Sequence, residues 1–163
     1  MEADEFDAFY ALSFSRLVNQ VYAMIGDREE AQDCVQEAFA RAWSQRRRLD
    51  PSGSPEAWVR LTAYRLAVSR WRQVVRSRRS PDRALQPLGD QLPPDEARVE
   101  LMRALDQLPP AQRHALVLHH LCDMPVAEVA AVVSAPVGTV KARLSRGRVT
   151  LQSLLAEEGA SHV

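Results

Sequence analysis

Residues 139–148 read Thr139-Val140-Lys141-Ala142-Arg143-Leu144-Ser145-Arg146-Gly147-Arg148, a stretch with four cations and no acid. Apolar residues recur around it with the 3.6-residue period of a helix that buries one face. They are Val137, Val140, Leu144, Leu151, Leu154 and Leu155. The pattern predicts a helix over 137–156 whose remaining side chains, the cations among them, face outward.

A shorter apolar stretch, 126–133, precedes this basic helix and is separated from it by residues 134–136, Ser-Ala-Pro. Two helices joined by about three residues, the second of them basic, form the helix-turn-helix arrangement whose second helix enters the major groove of DNA. The alternative is a solvated basic helix that closes a helical bundle. We favour DNA binding because the motif has two parts and is more than a run of charge.

The length and cysteine usage of the chain restrict its class. A chain of 163 residues suits one ordinary domain or two small ones. No apolar run approaches the roughly 18 residues of a membrane span, and the acidic N-terminus, 1–7, is the opposite of a secretion signal. Cys34 and Cys122 lie far apart without paired spacing, which predicts a reduced, cytoplasmic protein. We favour ordinary buried thiols over redox sensors at both positions.

The net charge is zero, but the charges are segregated along the chain. Residues 1–40 hold two arginines against nine acids, a net of −7, whereas 41–80 hold eleven arginines against two acids, a net of +9. Residues 81–110 return to −3, and 111–163 sum to +1 with the cations concentrated near 141–148. This distribution predicts two cationic surfaces and one acidic surface, which fits a nucleic-acid partner despite the zero net charge.

The whole chain has the pattern of helices, without the alternation of strands. The predicted helices cover 3–24, 28–47, 55–77, 95–107, 110–121, 126–133 and 137–156. Proline, glycine and serine break the chain at 49–55, and residues 78–95 are rich in proline and polar residues, as in a flexible linker. The sequence therefore predicts an all-α protein with two small helical domains, 1–77 and 96–163, the second containing the helix-turn-helix.

The helix predicted over 28–47 has one apolar and one polar face. The apolar face, suited to the core, comprises Ala31, Val35, Ala38, Phe39, Ala42 and Trp43. The polar face comprises Glu30, Asp33, Gln36, Glu37 and Arg41. Spacing alone favours a solvated surface here, with a docking site as the alternative.

The helix predicted over 55–77 combines a core side with a stripe of arginines. Val59, Ala63, Leu66, Ala67, Trp71 and Val74 form the core side. An opposite stripe is lined by Arg65, Arg72 and Arg76, and by Arg79 if the helix runs that far, with Trp58 projecting towards it at the start of the helix. Arginines with an aromatic nearby suit a single strand of nucleic acid, whose phosphates they neutralise and whose bases can stack. The alternative is an arginine face that serves solubility.

The sequence lacks the constellations of an enzyme or a metal site. Six glycines form no phosphate-binding loop, and the acid pairs fall on exposed helix faces. His119 and His120 are sequential and point about 100° apart on a helix, so with His114 and Cys122 they form no closed metal site. We expect no catalysis, no metal and no cofactor.

Three stretches, in this order, resemble bacterial RNA polymerase sigma factors of the sigma-70 family, in the extracytoplasmic-function subgroup. Residues 26–43, around Asp33-Cys34-Val35-Gln36-Glu37-Ala38-Phe39, look like region two of that family. Residues 54–67 are similar to its helix that opens and holds the −10 promoter element. Residues 108–113 and onward through 138–144 look like region four, which reads the −35 element.

The resemblance implies a function and residue roles. It implies an alternative sigma factor that binds core RNA polymerase, through the β′ clamp helices and the β subunit, and selects promoter DNA. An anti-sigma factor is the usual further partner in the family, and no membrane insertion is expected. The residues that match are Asp33, Gln36, Glu37 and Arg41 for polymerase, Trp58, Arg65, Arg72 and Arg76 for the −10 element, and Thr139, Lys141, Arg143, Ser145, Arg146 and Arg148 for the −35 element. Among the last group, Arg143 and Arg146 are expected on bases and Lys141 and Arg148 on phosphates.

The chain departs from the family pattern in the turn of the helix-turn-helix. Ser134 stands where the family usually has a glycine, and Pro136 stands at the usual serine N-cap. Loss of the glycine and loss of the N-cap each typically lower the stability of the fold by on the order of 1 kcal/mol, but proline is tolerated near a helix start. We therefore expect an altered turn and a retained second helix.

Two other functions remain open at this point. A stand-alone helix-turn-helix regulator, with N-terminal helices that dimerise or sense a ligand, would bind promoter DNA without polymerase. A helical scaffold with no role in DNA binding is the third possibility.

Overall fold

The structure, a computed structural model, describes residues 1–49, 53–77 and 96–161. The predicted linker, 78–95, and the centre of the predicted loop, 50–52, lie outside the described residues. The side chains of Arg76, of the predicted core residues Trp71 and Val74, and of a few others near the helix ends also lie outside them.

The described residues form helices and no strand, so the predicted all-α class is confirmed. The elements are α1 (Ala3–Ile25), α2 (Arg28–Ser44), α3 (Pro55–Ser77), α4 (Glu96–Asp106), α5 (Pro110–Leu116) with a π-helical continuation (Val117–Leu121), α6 (Val126–Val133) and α7 (Val137–Ser161). The chain divides into two compact units, Met1–Gly89 and Asp90–Val163, the first with α1–α3 and the second with α4–α7. None of the described helices has the length and apolarity that crossing a membrane requires.

Local capping sets the boundary between α1 and α2. Gly26 has a φ of 75°, a left-handed conformation that glycine adopts without steric cost, and its N–H donates to the carbonyl of Tyr22 at 2.8 Å. Asp27 then caps α2, because its Oδ1 accepts from the backbone N–H of Glu30 at 3.1 Å.

The end of α2 corrects two sequence-based expectations. The helix ends at Ser44 and not at residue 47, because Gln45 leaves helical geometry with a φ of −111°. Trp43, expected in the core, is 39% exposed. It packs edge-on against Phe6 at 5.1 Å between ring centroids, and the guanidinium of Arg46 covers its ring at 3.9 Å.

The core of the first unit has an aromatic part and a part made of small residues. Phe6 and Phe9 of α1 meet Phe39 of α2 edge-on or tilted, with ring centroids 5.3 to 6.2 Å apart. Further along, the buried side chains of α2 and α3 are small, and small side chains let packed helices approach closely. Those exposed by no more than 1% are Ala31, Cys34, Val35, Ala38, Ala42, Val59, Ala63 and Ala67.

Packing of α5 against α7 organises the second unit. Val140 and Leu144 of α7 are buried as predicted, whereas Val137, expected on the same face, is 42% exposed. Gly147 continues the buried face, and a Cβ at this position would lie 2.9 Å from the Cδ1 atom of Leu116. The buried Arg113 of α5 pairs with Asp106 at 3.1 Å, which compensates its charge and ties α5 to the end of α4.

The turn of the helix-turn-helix keeps the left-handed conformation that a glycine favours, although a serine occupies the position. Ser134 ends α6 in the left-handed conformation, with a φ of 55° and a ψ of 48°. The next N–H, of Ala135, donates to the carbonyl of Ala130 at 3.0 Å, and the carbonyl of Pro136 accepts from Val140 at 3.1 Å. The second helix is retained and begins directly after Pro136.

We predict that Ser134→Gly raises the free energy of unfolding of the protein by about 1 kcal/mol, because glycine removes the steric cost of a positive φ. The side chain of Ser134 is exposed, so little else is lost. Chemical denaturation followed by circular dichroism measures the change. Ser134→Ala serves as the control and should give no gain. Equal stability of the glycine and alanine variants would contradict this account of the turn.

Candidate functional site

The polar face of α2 contains all four residues predicted to bind polymerase. Asp33, Gln36 and Arg41 are exposed, and Glu37 is partly buried. The Nη2 atom of Arg41 donates to Oε1 of Glu37 at 2.7 Å. The face therefore presents the Glu37 carboxylate, which Arg41 holds in place, beside the exposed carboxylate of Asp33 and the exposed amide of Gln36.

Arg70 of α3 also contacts this face, although the sequence pattern did not predict this contact. Its Nη1 atom lies 3.1 Å from Oε1 of Glu30, and its Nη2 atom donates to Oε2 of Glu37. The opposite charges of α2 and α3 were visible in the sequence. The register that brings these particular side chains together depends on how the two helices pack, which sequence spacing does not give.

Cys34 lies beneath this group of charges and is fully buried. Its Sγ atom is 3.7 Å from Oε1 of Glu30 and 3.7 Å from Nη1 of Arg70. Burial, which disfavours the thiolate, raises the pKa of Cys34 to about 12, against the opposing effect of the Arg70 charge. The thiol therefore stays protonated in the folded protein at neutral pH.

We predict that the free energy of unfolding falls as the pH rises from 9 towards 12. The unfolded chain releases the Cys34 proton near its ordinary pKa of 9.0, whereas the folded chain keeps it until about 12. Over that window this group lowers stability by at most about 1.4 kcal/mol per pH unit. Urea unfolding between pH 8 and 11 measures the slope. Cys34→Ala should show a shallower slope, and identical slopes for the two proteins would contradict the assignment.

A cleft of about 280 Å³ opens between the end of α2 and the first half of α3. Arg41 and Gln45 line it from the side of α2, and Trp58, Thr62, Arg65 and Leu66 line it from α3. The structure thus brings Trp58 and Arg65, predicted for the −10 element, together with Arg41. Gln45 and Thr62 were missed, although they follow Arg41 and Trp58 by one helical turn, a spacing that would have found them.

The arginine stripe of α3 continues beyond the cleft. Arg65 and Arg72 are both exposed and lie two turns apart, about 10 Å along the helix axis. The side chain of Arg76 is outside the described residues. Arg65 at the cleft and Arg72 beyond it thus place two exposed cations on the same helix as the half-buried Trp58.

The six residues predicted for the −35 element lie on α7 but do not share one face. The buried side of α7 is marked by Val140 and Leu144. At about 100° per residue, the helix directs three of the six residues away from that side: Thr139, Ser145 and Arg146. Arg143 is partly buried on the flank nearer to Thr139 and Arg146. Lys141 and Arg148 lie on the other flank, so Arg148 points about 160° away from Arg146.

Arg148 instead lines an apolar groove of about 290 Å³ in the second unit. The groove lies between α4, the end of α5 and its π-helical continuation, and the second half of α7. Its walls include Leu101, Leu105, Leu116, Leu121, Leu151 and Leu155. Leu121 is 45% exposed, and the Nε atom of Arg148 donates to the carbonyl of Leu144 at 3.2 Å. An apolar groove edged by a cation is suited to a protein partner more than to a DNA backbone.

Comparison with protein families gives two matches on this chain. Residues 10–77 match the model described as sigma-70 region 2, and residues 98–151 match the model described as sigma-70, region 4. The first match covers α1 to α3 apart from the first residues of α1, and the second runs from α4 into α7.

Curated relatives give the same result over most of the chain. The chain is 28% identical to the ECF RNA polymerase sigma factor SigW of Bacillus subtilis over 176 residues, covering 96% of this chain and 91% of the relative. It is 29% identical over 157 residues to the ECF RNA polymerase sigma factor SigE of Mycolicibacterium smegmatis, covering 89% of this chain. The match spans 59% of the length of that second relative.

The fold also resembles a solved structure. The sigma factor RpoE in complex with the anti-sigma factor NepR, from Bartonella quintana, matches with a TM-score of 0.78 at 23% identity. The match covers 94% of this chain and 98% of that chain. At this identity the likeness concerns the fold.

Proposed function

The chain belongs to the sigma-70 family, in the extracytoplasmic-function subgroup, and on that premise we propose that it binds core RNA polymerase and directs initiation at promoters with its own −35 and −10 elements. The observation that carries the proposal is the order of the two matched regions, each on its own compact unit. A stand-alone regulator accounts for the helix-turn-helix but not for region 2. The chemistry of RNA synthesis then belongs to polymerase, and the protein acts with it in the cytoplasm.

Polymerase docking of the first unit uses the polar face of α2. Asp33 and Gln36 are exposed, and Glu37 keeps about a third of its side chain accessible while Arg41 fixes one of its oxygens. Glu37 offers hydrogen-bond acceptors to the β′ clamp helices in a held orientation, and the exposed Asp33 and Gln36 add further acceptors and donors beside it. A rigid polar surface binds with less loss of side-chain freedom than a mobile one.

The cleft between α2 and α3 holds part of the melted −10 strand. Its volume is just below the range of about 300 to 1,000 Å³ typical of ligand pockets, which suits a single base. Trp58 offers a stacking surface, and Arg65 with Arg72 offers cations to the phosphates that follow. Unstacking a base costs a few kcal/mol, which such contacts offset.

The second unit reads duplex DNA with the outward face of α7. Thr139, Ser145 and Arg146 occupy that face, and Arg143 reaches its edge, so these four are the proposed base-reading set. Lys141 lies on the flank and suits a phosphate. Arg148 points away from Arg146, and we assign it with the apolar groove to the β subunit of polymerase.

Two separate contacts with polymerase explain how weak DNA contacts become selective. With each unit anchored on polymerase, binding of one DNA element raises the effective concentration of the other unit at its element. The outcome depends on the spacing between −35 and −10. An anti-sigma factor, as in the complex of the Bartonella protein, would hold the chain inactive by covering these polymerase contacts.

We predict that the protein shifts a duplex promoter in a gel only when core polymerase is present. Each unit alone offers few DNA contacts, whereas the holoenzyme combines them. A strong shift by the free protein would instead favour the stand-alone regulator.

Gln36→Ala combined with Glu37→Lys should abolish co-purification with core polymerase while the helical circular dichroism spectrum is kept.

Arg143→Ala should cost about 1–3 kcal/mol on the preferred −35 sequence and relax base preference there. Lys141→Ala, its matched control on the opposite flank of α7, should weaken all sequences alike because phosphates carry no sequence information. Holoenzyme binding to specific and scrambled −35 duplexes measures both. Equal losses on both duplexes for the two variants would refute this division of roles.

Replacement of Arg65 and Arg72 by Glu should block promoter opening while closed binding through the −35 element persists. These arginines meet phosphates after the strand has separated, whereas α7 uses intact duplex. Permanganate reactivity of thymines near −10 measures opening, and a premelted promoter should rescue only partly. If the double variant opens the promoter as wild type does, the arginine stripe is solvated surface.

A further inference from the structure

Arg70 connects the helix proposed to bind polymerase with the helix proposed to bind the −10 strand. Its guanidinium spans two carboxylates of α2, with Nη1 3.1 Å from Glu30 and Nη2 donating to Glu37. Glu30 and Glu37 are seven residues apart, so they lie on the same side of α2, two turns from each other. An arginine can bridge that distance because its planar fork carries five donors, whereas a lysine offers a single point charge.

Glu37 is consequently held at both carboxylate oxygens. Arg41 donates to Oε1 at 2.7 Å and Arg70 donates to Oε2. The side chain of Glu37 nevertheless remains 35% exposed, so its remaining lone pairs are accessible from outside. Arg70 itself is 34% exposed, beside the buried Cys34. The arrangement fixes a carboxylate at the surface and does not bury it.

We propose that Arg70 is a positioning residue for polymerase docking: it fixes the Glu37 carboxylate in the orientation that core polymerase binds. The inference rests on the proposed function and deepens it, because it assigns a role in docking to a residue outside the docking face. If Arg70 had a purely structural role, its replacement would change the stability of the protein only slightly, because ion pairs that are about one third exposed contribute weakly to stability. Orientation of a binding group, by contrast, acts on affinity directly.

Charge attraction and positioning predict opposite changes in affinity when Arg70 is removed. Glu30, Glu37, Arg41 and Arg70 together carry no net charge, and removal of Arg70 leaves this group at −1. A partner surface that receives Glu37 is basic, so simple charge attraction predicts tighter binding when Arg70 is neutralised. Positioning predicts weaker binding, because Glu37 gains rotamer freedom that docking must remove.

The test is a double-mutant cycle on the affinity of the full-length chain for core polymerase, measured by anisotropy of a fluorescent label. We expect Arg70→Gln and Glu37→Gln each to weaken binding about tenfold, and Arg70→Gln to add nothing in the Glu37→Gln background. Arg70→Lys should retain part of the affinity, because it keeps one contact. Arg16→Gln is the matched control: it removes an arginine of α1 whose carboxylate partner is Glu56 of α3, at 2.7 Å, and not a residue of α2, and it should bind as wild type does.

Other outcomes overturn the proposal in identifiable ways. Additive losses in the double variant assign Arg70 a role independent of Glu37, and tighter binding by Arg70→Gln favours charge attraction. If Arg70→Gln does not fold, as judged by circular dichroism, the same cycle with Arg70→Lys decides. Unchanged binding of both Arg70 variants, with Glu37→Gln weakened, overturns this inference alone, whereas failure of the wild-type chain to bind core polymerase overturns the proposed function.

Discussion

The packing of α2 against α3 is the constraint on which the rest of the first unit depends. The buried residues of both helices are small, since Ala31, Ala38 and Ala42 of α2 and Ala63 and Ala67 of α3 are all almost fully buried. Small buried side chains allow packed helices to approach closely. Longer side chains on either flank can then reach the opposite helix, which places Arg70 against Glu37 and Arg41 opposite Trp58. Both proposed binding surfaces are edges of this one contact.

The segregation of charge along the sequence also has a structural meaning. Acids of the first forty residues meet an arginine of the next forty across helices, because Arg70 pairs with Glu30 and Glu37. A second arginine of that segment, Arg60, donates its Nε hydrogen to the amide oxygen of Gln20 at 2.9 Å. Some arginines of residues 41–80 are therefore bound to side chains within the first unit. Arg65 and Arg72 remain exposed on the outer side of α3, so the surface available to nucleic acid is narrower than the net charge of the segment indicates.

Sequence periodicity predicted the helices and the fold class, because each depends on local spacing and on breaks such as Gly26. It predicted burial wrongly at positions where packing against neighbouring elements determines the exposed fraction of a side chain. Trp43 has the spacing of a core residue but lies at the frayed end of α2, and Val137 precedes the first buried turn of α7. The candidate site divides in the same way. The faces of α2 and α7 followed from spacing, whereas the contact of Arg70 depends on how α2 and α3 pack. Gln45 and the direction of Arg148 could have been found from helical spacing, because Gln45 follows Arg41 by one turn and Arg148 lies about 160° around α7 from Arg146.

The sealed environment of Cys34 bears on how the protein is regulated. Thiolates, not thiols, react with peroxides and disulfides, and burial raises the pKa of Cys34 to about 12, so the thiol stays protonated at neutral pH. With no exposed sulfur surface besides, Cys34 is inert towards oxidants in the folded chain. An oxidative signal would reach transcription without chemistry at this cysteine. Cys34 thus serves the packing of α2 on α3, where a small apolar side chain is required.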